Sequence, residues 1–321
     1  MLRDSLIYLS HSEAAKAVIT RTPLRAMARR FVPGDTVDEL VGAMREANSA
    51  GLTVTGNYLG ESVHDEPNAR QAADVYLRVL DAIGKQSLKA NVSLKFTQLG
   101  QDISERFLGE NLGAVLDRAD EVGSFVRFDM ESSEYTERTL HAFEKLWAGG
   151  RRNIGVVLQS YLHRTAGDVA HMNRLGARVR LCKGAYSEPA EVAFQARDEV
   201  DRSFVELMRM VLDEGNYPGI ATHDERMIEA TVDHHRSHGY AMDRFEFQML
   251  HGVRRDLQKQ LLADGYRVRV YVPFGEHWYP YLMRRLAERP ANMLFFAGSV
   301  IQESPLGFLW PKKQGSSGGG H

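Results

Sequence analysis

The chain has little cysteine, no long apolar run and almost no surplus of charge. Cys182 is the only cysteine in 321 residues, which excludes an intrachain disulfide and a metal site built from cysteines alone. No segment approaches the roughly 20 apolar residues of a transmembrane helix, and the N-terminus lacks the apolar core of a secretory signal. The formal net charge of −2 gives no general attraction to nucleic acid or anionic lipid. We expect a cytoplasmic protein without a nucleic-acid partner, and peripheral contact with the inner face of a membrane stays open.

The sequence also lacks a Gly-x-Gly-x-x-Gly motif after its first predicted strand, which disfavours a doubly wound nucleotide-binding sheet. From Gly51 onward, short β-rich segments alternate with longer amphipathic ones. The predicted strands are 52–58, 90–96, 124–130, 154–160, 177–183, 219–223, 244–250 and 267–272. The predicted helices between and after them are 68–84, 109–122, 134–148, 165–174, 198–214, 225–238, 254–263 and 277–288. Strands that each precede a helix, eight times over about 240 residues, predict an α/β fold of the (β/α)8 TIM-like barrel type.

The two ends of the chain differ from this alternating region. Residues 1–50 predict an N-terminal helical arm, in which Thr36 is a candidate N-cap with Glu39 three residues later. Residues 312–321 are rich in glycine and serine and are typical of a linker. The expected division is therefore an arm at 1–50, a barrel at 51–311 and a tail at 312–321.

Charged residues alternate with apolar ones along the predicted strands. Arg127 and Asp129, for example, point away from Val126 and Phe128. Parallel strands joined by helices are covered on their outer face, so the polar face must line the barrel. An isolated buried charge costs several kcal/mol, so these charges must pair with one another or with a ligand. Internal ion pairs that only stabilise the barrel are the alternative to a binding site.

Several polar side chains fall at the carboxyl ends of predicted strands, where barrel enzymes build their active sites. They are Lys95, Asp129, Gln159, Lys183, His223 and Tyr271, with Arg180 one pleat lower on its strand. On the last predicted helix, Tyr281, Arg284, Arg285 and Glu288 share one face. Two guanidinium groups beside a phenol suit a carboxylate ligand, although such a face also occurs as a simple solvated surface.

Histidines cluster at His234, His235 and His238. They lie on a predicted outer helix without carboxylate or cysteine ligands at metal spacing, so no metal site is expected.

Several of these segments resemble motifs of the proline dehydrogenase family of flavoenzymes. The resemblance extends from Arg21 to Arg289. Its segments are Val92-Ser-Leu-Lys95, Phe128-Asp-Met-Glu131, Leu158-Gln159-Ser-Tyr161, the block from Val179 to Tyr186, Ala221-Thr222-His223, Phe245 to Leu250, Tyr271-Val-Pro-Phe-Gly275 and Tyr281-Leu-Met-Arg-Arg-Leu-Ala-Glu288.

The resemblance implies a role for each matching residue. Asp129 and Arg180 would be catalytic. The substrate would contact Lys95, Leu250, Tyr271, Tyr281, Arg284, Arg285 and Glu288. The cofactor would contact Met130, Gln159, Arg180, Lys183, Gly184, Ala185, Thr222 and His223. Two departures from the family pattern, Asp224 after His223 and Ser187-Glu188-Pro189 after Tyr186, make the cofactor contacts there less secure.

The same resemblance implies a monofunctional, FAD-dependent enzyme of proline catabolism. It would oxidise L-proline to Δ1-pyrroline-5-carboxylate, with hydride passing from proline C5 to flavin N5 and electrons then passing to a membrane quinone. A homo-oligomer is compatible with the sequence. Two other functions stay open: a barrel lyase or aldolase that uses Lys95 or Lys183 as a Schiff-base amine, and a non-catalytic module that binds carboxylates.

Overall fold

Eight parallel strands close into a barrel in the part of the chain that the structure, a computed structural model, describes. That part is residues 28–288, with side chains described through Met283. The strands are β1 Thr53–Tyr58, β2 Ala90–Leu94, β3 Val126–Phe128, β4 Ile154–Gln159, β5 Arg178–Cys182, β6 Gly219–Ala221, β7 Glu246–Leu250 and β8 Val268–Phe274. They pair in chain order, and β8 pairs with β1. The predicted (β/α)8 barrel is confirmed.

Helices connect the strands at nearly the predicted positions. They are α1 Val37–Ser49, α2 Glu66–Lys85, α3 Glu105–Glu121, α4 Ser133–Ala148, α5 Thr165–Leu175, α6 Arg197–Glu214, α7 Glu225–Ser237, α8 Arg255–Ala263 and α9 Trp278–Glu288. None of these helices is long and apolar enough to cross a bilayer.

The described residues fall into two compact units, and Val32–Gly275 is the unit that contains the barrel and α1 to α8. The predicted cap of α1 is present: Glu39 N–H donates to Thr36 Oγ1 at 3.3 Å, and Thr36 N–H donates to the Glu39 carboxylate at 3.1 Å. Residues 1–27 and 289–321, which include most of the predicted arm and the tail, lie outside the described residues. The predicted boundary at residue 50 stays a prediction, since α1 shares a compact unit with the barrel.

The outer face of the barrel is apolar and covered by the helices. Val92, Val126 and Phe128 are fully buried, and so is Tyr76 of α2. Burying each such side chain contributes about 1.5–3 kcal/mol, which makes this layer the main source of stability.

The inner face is polar, as the alternation predicted. Thr55 Oγ1 donates to Asn91 Oδ1 at 2.5 Å between β1 and β2, and Arg269 Nε donates to Glu246 Oε1 between β8 and β7. The buried charges inside the barrel therefore contact polar partners on other strands.

Two glycines make room for large polar side chains inside the barrel. A Cβ at Gly155 on β4 would lie 2.6 Å from Arg127 Nη1, and a Cβ at Gly219 on β6 would overlap the Gln248 amide. Any larger residue at either position would displace the side chain that crosses it. The polar interior thus depends on the absence of a side chain at these two sites.

His251, directly after β7, makes the stability of the fold sensitive to pH. Burial, followed by the positive charge of Arg255, lowers its pKa from 6.5 to about 4. The folded state therefore favours the neutral ring, and its contribution to the free energy of unfolding is lost as the pH falls from 6.5 to about 4. We expect His251→Gln to reduce this acid-dependent loss by about 1–3 kcal/mol, measured by urea unfolding at about pH 7 and about pH 4.5.

The matched control is His141→Gln, at an exposed position on α4. It should lose as much stability on acidification as the unsubstituted protein. If the unsubstituted protein and both variants lose the same free energy of unfolding between the two pH values, His251 is not the source of the acid-dependent loss.

Candidate active site

A buried ion pair lies at the centre of the carboxyl end of the barrel. Arg180 Nη1 donates to Asp129 Oδ1 at 2.7 Å, and the two residues are 6% and 9% exposed. Ser93 Oγ donates to the same carboxylate oxygen at 2.6 Å, and the Tyr271 hydroxyl donates to Oδ2 at 2.7 Å. Strands β2, β3, β5 and β8 thus converge on one carboxylate. The two predicted catalytic residues are in direct contact.

The guanidinium of Arg180 is fixed on almost every side. Nε donates to Gln248 Oε1, Nη1 also approaches Ser93 Oγ at 3.3 Å, and Cζ lies 5.3 Å from the centre of the Tyr271 ring. Its Nη2 is buried and has no acceptor among the described residues. A buried donor without a partner costs about 1–3 kcal/mol, so this atom is suited to hydrogen-bond a polar group of a bound molecule.

Tyr271 acts as a hydrogen-bond donor in this cluster. Burial and then the negative charge of Asp129 raise the pKa of the Tyr271 phenol well above its ordinary value. The hydroxyl therefore keeps its proton at physiological pH, and the ring is held against Arg180 as one wall of the site.

A hydrogen-bonded chain continues from Arg180 toward the other end of the barrel. Gln248 Nε2 donates to Glu246 Oε1 at 2.7 Å, and Arg269 donates to the same oxygen. Burial alone would raise the pKa of Glu246, but the charge and hydrogen bond of Arg269 leave that pKa below its usual value. Glu246 and Gln248 alternate with Phe245 and Phe247 in the sequence, but this alternation does not indicate that Gln248 holds Arg180.

Lys95, the predicted carboxylate contact after β2, lies among acidic groups. Its Nζ is 3.8 Å from Glu61 Oε2, and its charge also acts on the nearby Glu131. Thr97 Oγ1 donates to Glu131 at 2.6 Å, and burial raises the pKa of Glu131. Neither carboxylate was singled out from the sequence.

The residues predicted to contact the cofactor occupy the ends of β3 to β6. Met130 is buried, and Gln159 Nε2 donates to the Glu131 carbonyl at 2.9 Å. Gly184 has a φ of 113°, and a Cβ there would overlap the Tyr161 ring, so the loop after β5 requires glycine. Ala185 beside it is exposed.

Thr222 and His223 lie after β6. Thr222 Oγ1 accepts the Asp224 N–H at 3.1 Å. His223 Nε2 accepts the Leu250 N–H at 2.8 Å, which assigns the ring proton to Nδ1. This bond holds Leu250, the predicted pocket wall, at the rim of the barrel.

Lys183 contacts two carboxylates. It forms ion pairs with Asp201 and, at 2.9 Å, with Asp224. Burial alone would raise the pKa of Asp224, but hydrogen bonds from Lys183 and Arg226 lower it to about 2. A Schiff base on Lys183 would break both ion pairs, which disfavours Lys183 as the reacting amine of a lyase. Asp201 was not identified from the sequence because it lies within α6, distant along the chain.

Arg284, Arg285 and Glu288 on α9 are the predicted substrate contacts for which the structure describes only the backbone. The segment is helical through Glu288, and Tyr281 is buried. The side chains of Arg284, Arg285 and Glu288 lie outside the described residues, so their contact with substrate stays a prediction.

Known proteins with similar sequences and structures agree on one family. The family model named proline dehydrogenase matches residues 40–297. Proline dehydrogenase 1 of Bacillus subtilis subsp. natto is 38% identical over 303 residues, which cover 94% of this chain and all of that protein. Proline dehydrogenase of Deinococcus radiodurans is 38% identical over 290 residues, which cover 88% of this chain and 93% of that protein.

A solved structure shows the same architecture. Proline utilization A from Bdellovibrio bacteriovorus aligns with a TM-score of 0.79 and 26% identity over 92% of this chain. The aligned region is 36% of that longer protein, so the comparison concerns about a third of it. The family model, the full-length relatives and the barrel with its buried Asp129–Arg180 pair together establish that this chain belongs to the proline dehydrogenase family.

Proposed function

We propose that this chain oxidises L-proline to Δ1-pyrroline-5-carboxylate with FAD as its cofactor and a membrane quinone as the final electron acceptor. The observation on which the proposal rests is the cluster of Asp129, Arg180 and Tyr271, in which the ion pair is buried and one guanidinium donor is directed to no described residue. A bound flavin supplies the two-electron acceptor for this oxidation.

The described residues fit such a cofactor. Arg180 Nη2 would donate a hydrogen bond to the polar edge of its ring. Gln159 ends β4, the strand between β3 and β5, and Met130 directly follows Asp129. Gly184 lets the backbone after β5 follow a path that a side chain would block. The fixed positive charge of Arg180 stabilises negative charge that develops during the reaction, since a preorganised charge needs no reorganisation at that moment.

Asp129 has a positioning role in this proposal. Its two oxygens already accept hydrogen bonds from Arg180, Ser93 and Tyr271. Both oxygens are thus engaged with protein donors, and we propose that the substrate ammonium loses its proton to another group or to water. Asp129 instead fixes the angle of the Arg180 guanidinium and the position of the Tyr271 ring.

The substrate is proposed to lie under Tyr271 with its carboxylate toward Lys95. Arg284 and Arg285 on α9 keep the carboxylate-binding role that the sequence resemblance implies. Two guanidinium groups and one ammonium fix both the position and the orientation of a carboxylate. Leu250 and Tyr271, partners in the pairing of β7 and β8, are proposed to line the space for the five-membered apolar ring.

Anaerobic titration with L-proline tests the proposed reaction directly. The purified protein reconstituted with FAD should show flavin absorbance that is bleached stoichiometrically by L-proline. A protein that does not retain FAD, or whose flavin is unaffected while borohydride traps a keto acid on a lysine, would contradict the proposal and support the lyase.

Arg180 and Asp129 are tested by substitutions that retain size. Arg180→Lys keeps the positive charge, but one ammonium group cannot donate to Gln248 and Asp129 and also occupy the position of Nη2. We therefore expect kcat/KM to fall by about 10²–10³-fold. Asp129→Asn removes the charge that orients Arg180 and should lower kcat/KM by a similar factor.

Steady-state kinetics with L-proline and a soluble quinone measures both effects. Arg164→Lys is the control, because Arg164 is exposed and pairs with Asp168 on the surface. Full activity of Arg180→Lys with an unchanged flavin spectrum would refute the role of Arg180.

Tyr271 is proposed to select proline over hydroxyproline. Its ring is proposed to crowd a hydroxyl on the substrate ring, so Tyr271→Ala should reduce the preference for L-proline over 4-hydroxy-L-proline by about tenfold in kcat/KM, the usual effect of a small steric difference in a pocket. Tyr271→Phe keeps the ring and should keep the preference while losing the hydrogen bond to Asp129. Equal preferences in the Ala and Phe variants would show that the ring does not set the specificity.

A further inference from the structure

A second charged cavity lies at the amino end of the barrel, opposite the active site. Its volume is about 300 Å³, and the first residues of β1, β2, β5 and β7 contribute to its lining. Of the residues that line this cavity, Glu246 is linked to the proposed active site, through the hydrogen bond that it accepts from Gln248. The proposed oxidation of proline uses none of the others.

The lining of this basal cavity has an excess of positive charge. It contains four cationic side chains, Lys89, Arg127, Arg178 and Arg269, and one carboxylate, Glu246. Arg269 already donates to that carboxylate. The other three cations therefore have no acidic partner within the lining. Of these three, Arg127 is buried, and a buried charge without a compensating partner costs free energy.

Arg127 is the most deeply buried of the four, at 3% exposure. Its Nη1 donates to the carbonyls of Arg178 at 2.5 Å and of Val156 at 3.3 Å, and its Nε has no acceptor among the described residues. Burial and then the charge of Arg180 lower the pKa of Arg127, and Glu246 offsets this only in part. The positive charge at the base of the barrel is therefore poorly compensated.

Arg178 is accessible, because it is exposed at the start of β5. Its guanidinium carbon lies 5.3 Å from the ring centres of both Phe125 and Tyr217, and it forms no ion pair among the described residues. Tyr217 has a φ of 48°, an unfavourable conformation for a bulky residue, and its hydroxyl donates to Glu246 Oε2 at 3.1 Å. These contacts place the Arg178 guanidinium at the cavity while leaving its hydrogen-bond donors available.

We propose that this basal cavity binds a small multivalent oxyanion, a phosphate ester or a dicarboxylate. Guanidinium groups present planar pairs of donors that match the oxygens of these anions. A ligand with two negative charges compensates the unmatched lining, whereas a zwitterion such as free proline adds no net charge.

Isothermal titration of the full-length protein with inorganic phosphate tests the site. Saturating FAD is present throughout so that the cofactor position is filled, and chloride keeps the ionic strength constant. We expect Arg178→Gln to weaken phosphate binding by about tenfold, the usual effect of losing one charge-assisted contact. Malonate is titrated in parallel as the dicarboxylate probe.

Arg152→Gln is the matched control. Arg152 is also exposed and also lies over an aromatic ring, that of Trp147 at 4.3 Å, but it does not line the cavity. It should bind phosphate as the unsubstituted protein does. If Arg178→Gln does not fold, Lys89→Ala, at an exposed lining position, replaces it with the same expectation.

The two probes separate the ligand classes. Binding of phosphate without malonate supports a phosphate ester, and the reverse supports a dicarboxylate. No binding of either anion overturns the proposal, and so does equal weakening in the cavity and control variants. Because the readout is anion binding, its failure leaves the proposed oxidation of proline unaffected.

Discussion

Much of the polar interior of this barrel is arranged around the ion pair between Asp129 and Arg180. A carboxylate and a guanidinium, each at least nine-tenths buried, are stable there only when their remaining hydrogen-bonding atoms find partners. Ser93 and Tyr271 satisfy the carboxylate, and Gln248 satisfies one side of the guanidinium. Residues from five strands are thereby held in one arrangement. The donor that stays open is the one suited to a bound cofactor.

The need to give buried polar groups partners also explains two glycines whose role the sequence alone does not show. Gly219 is needed because Gln248 crosses β6 to reach Arg180, and Gly155 is needed because Arg127 crosses β4. Glu246 Oε1 accepts from Gln248 and from Arg269, and its Oε2 accepts from Tyr217. A single carboxylate therefore links the active-site end of the barrel with its amino end.

Much of the candidate site was predictable from strand alternation, since residues at the carboxyl ends of parallel strands must face one mouth. Asp129, Arg180 and Tyr271 were found in this way and are in contact. Gln248 was not assigned to the site, because alternation gives the face of a side chain but not its partner across the barrel. Asp201 was missed for another reason: it lies on a helix, and only the packing of α6 brings it to Lys183.

The sequence by itself determined the fold class, the positions of nearly every strand and helix among residues 28–288, and the polar character of the barrel interior. This was possible because the spacing of apolar residues and the polarity of each segment are local properties, which do not depend on how the chain is folded. Only the tertiary structure decided which charges compensate one another. Lys183 is paired twice, Arg180 keeps one open donor, and the base of the barrel keeps unmatched cations. Coulomb interactions depend on distances between segments far apart in the chain, and those distances exist only once the barrel has closed.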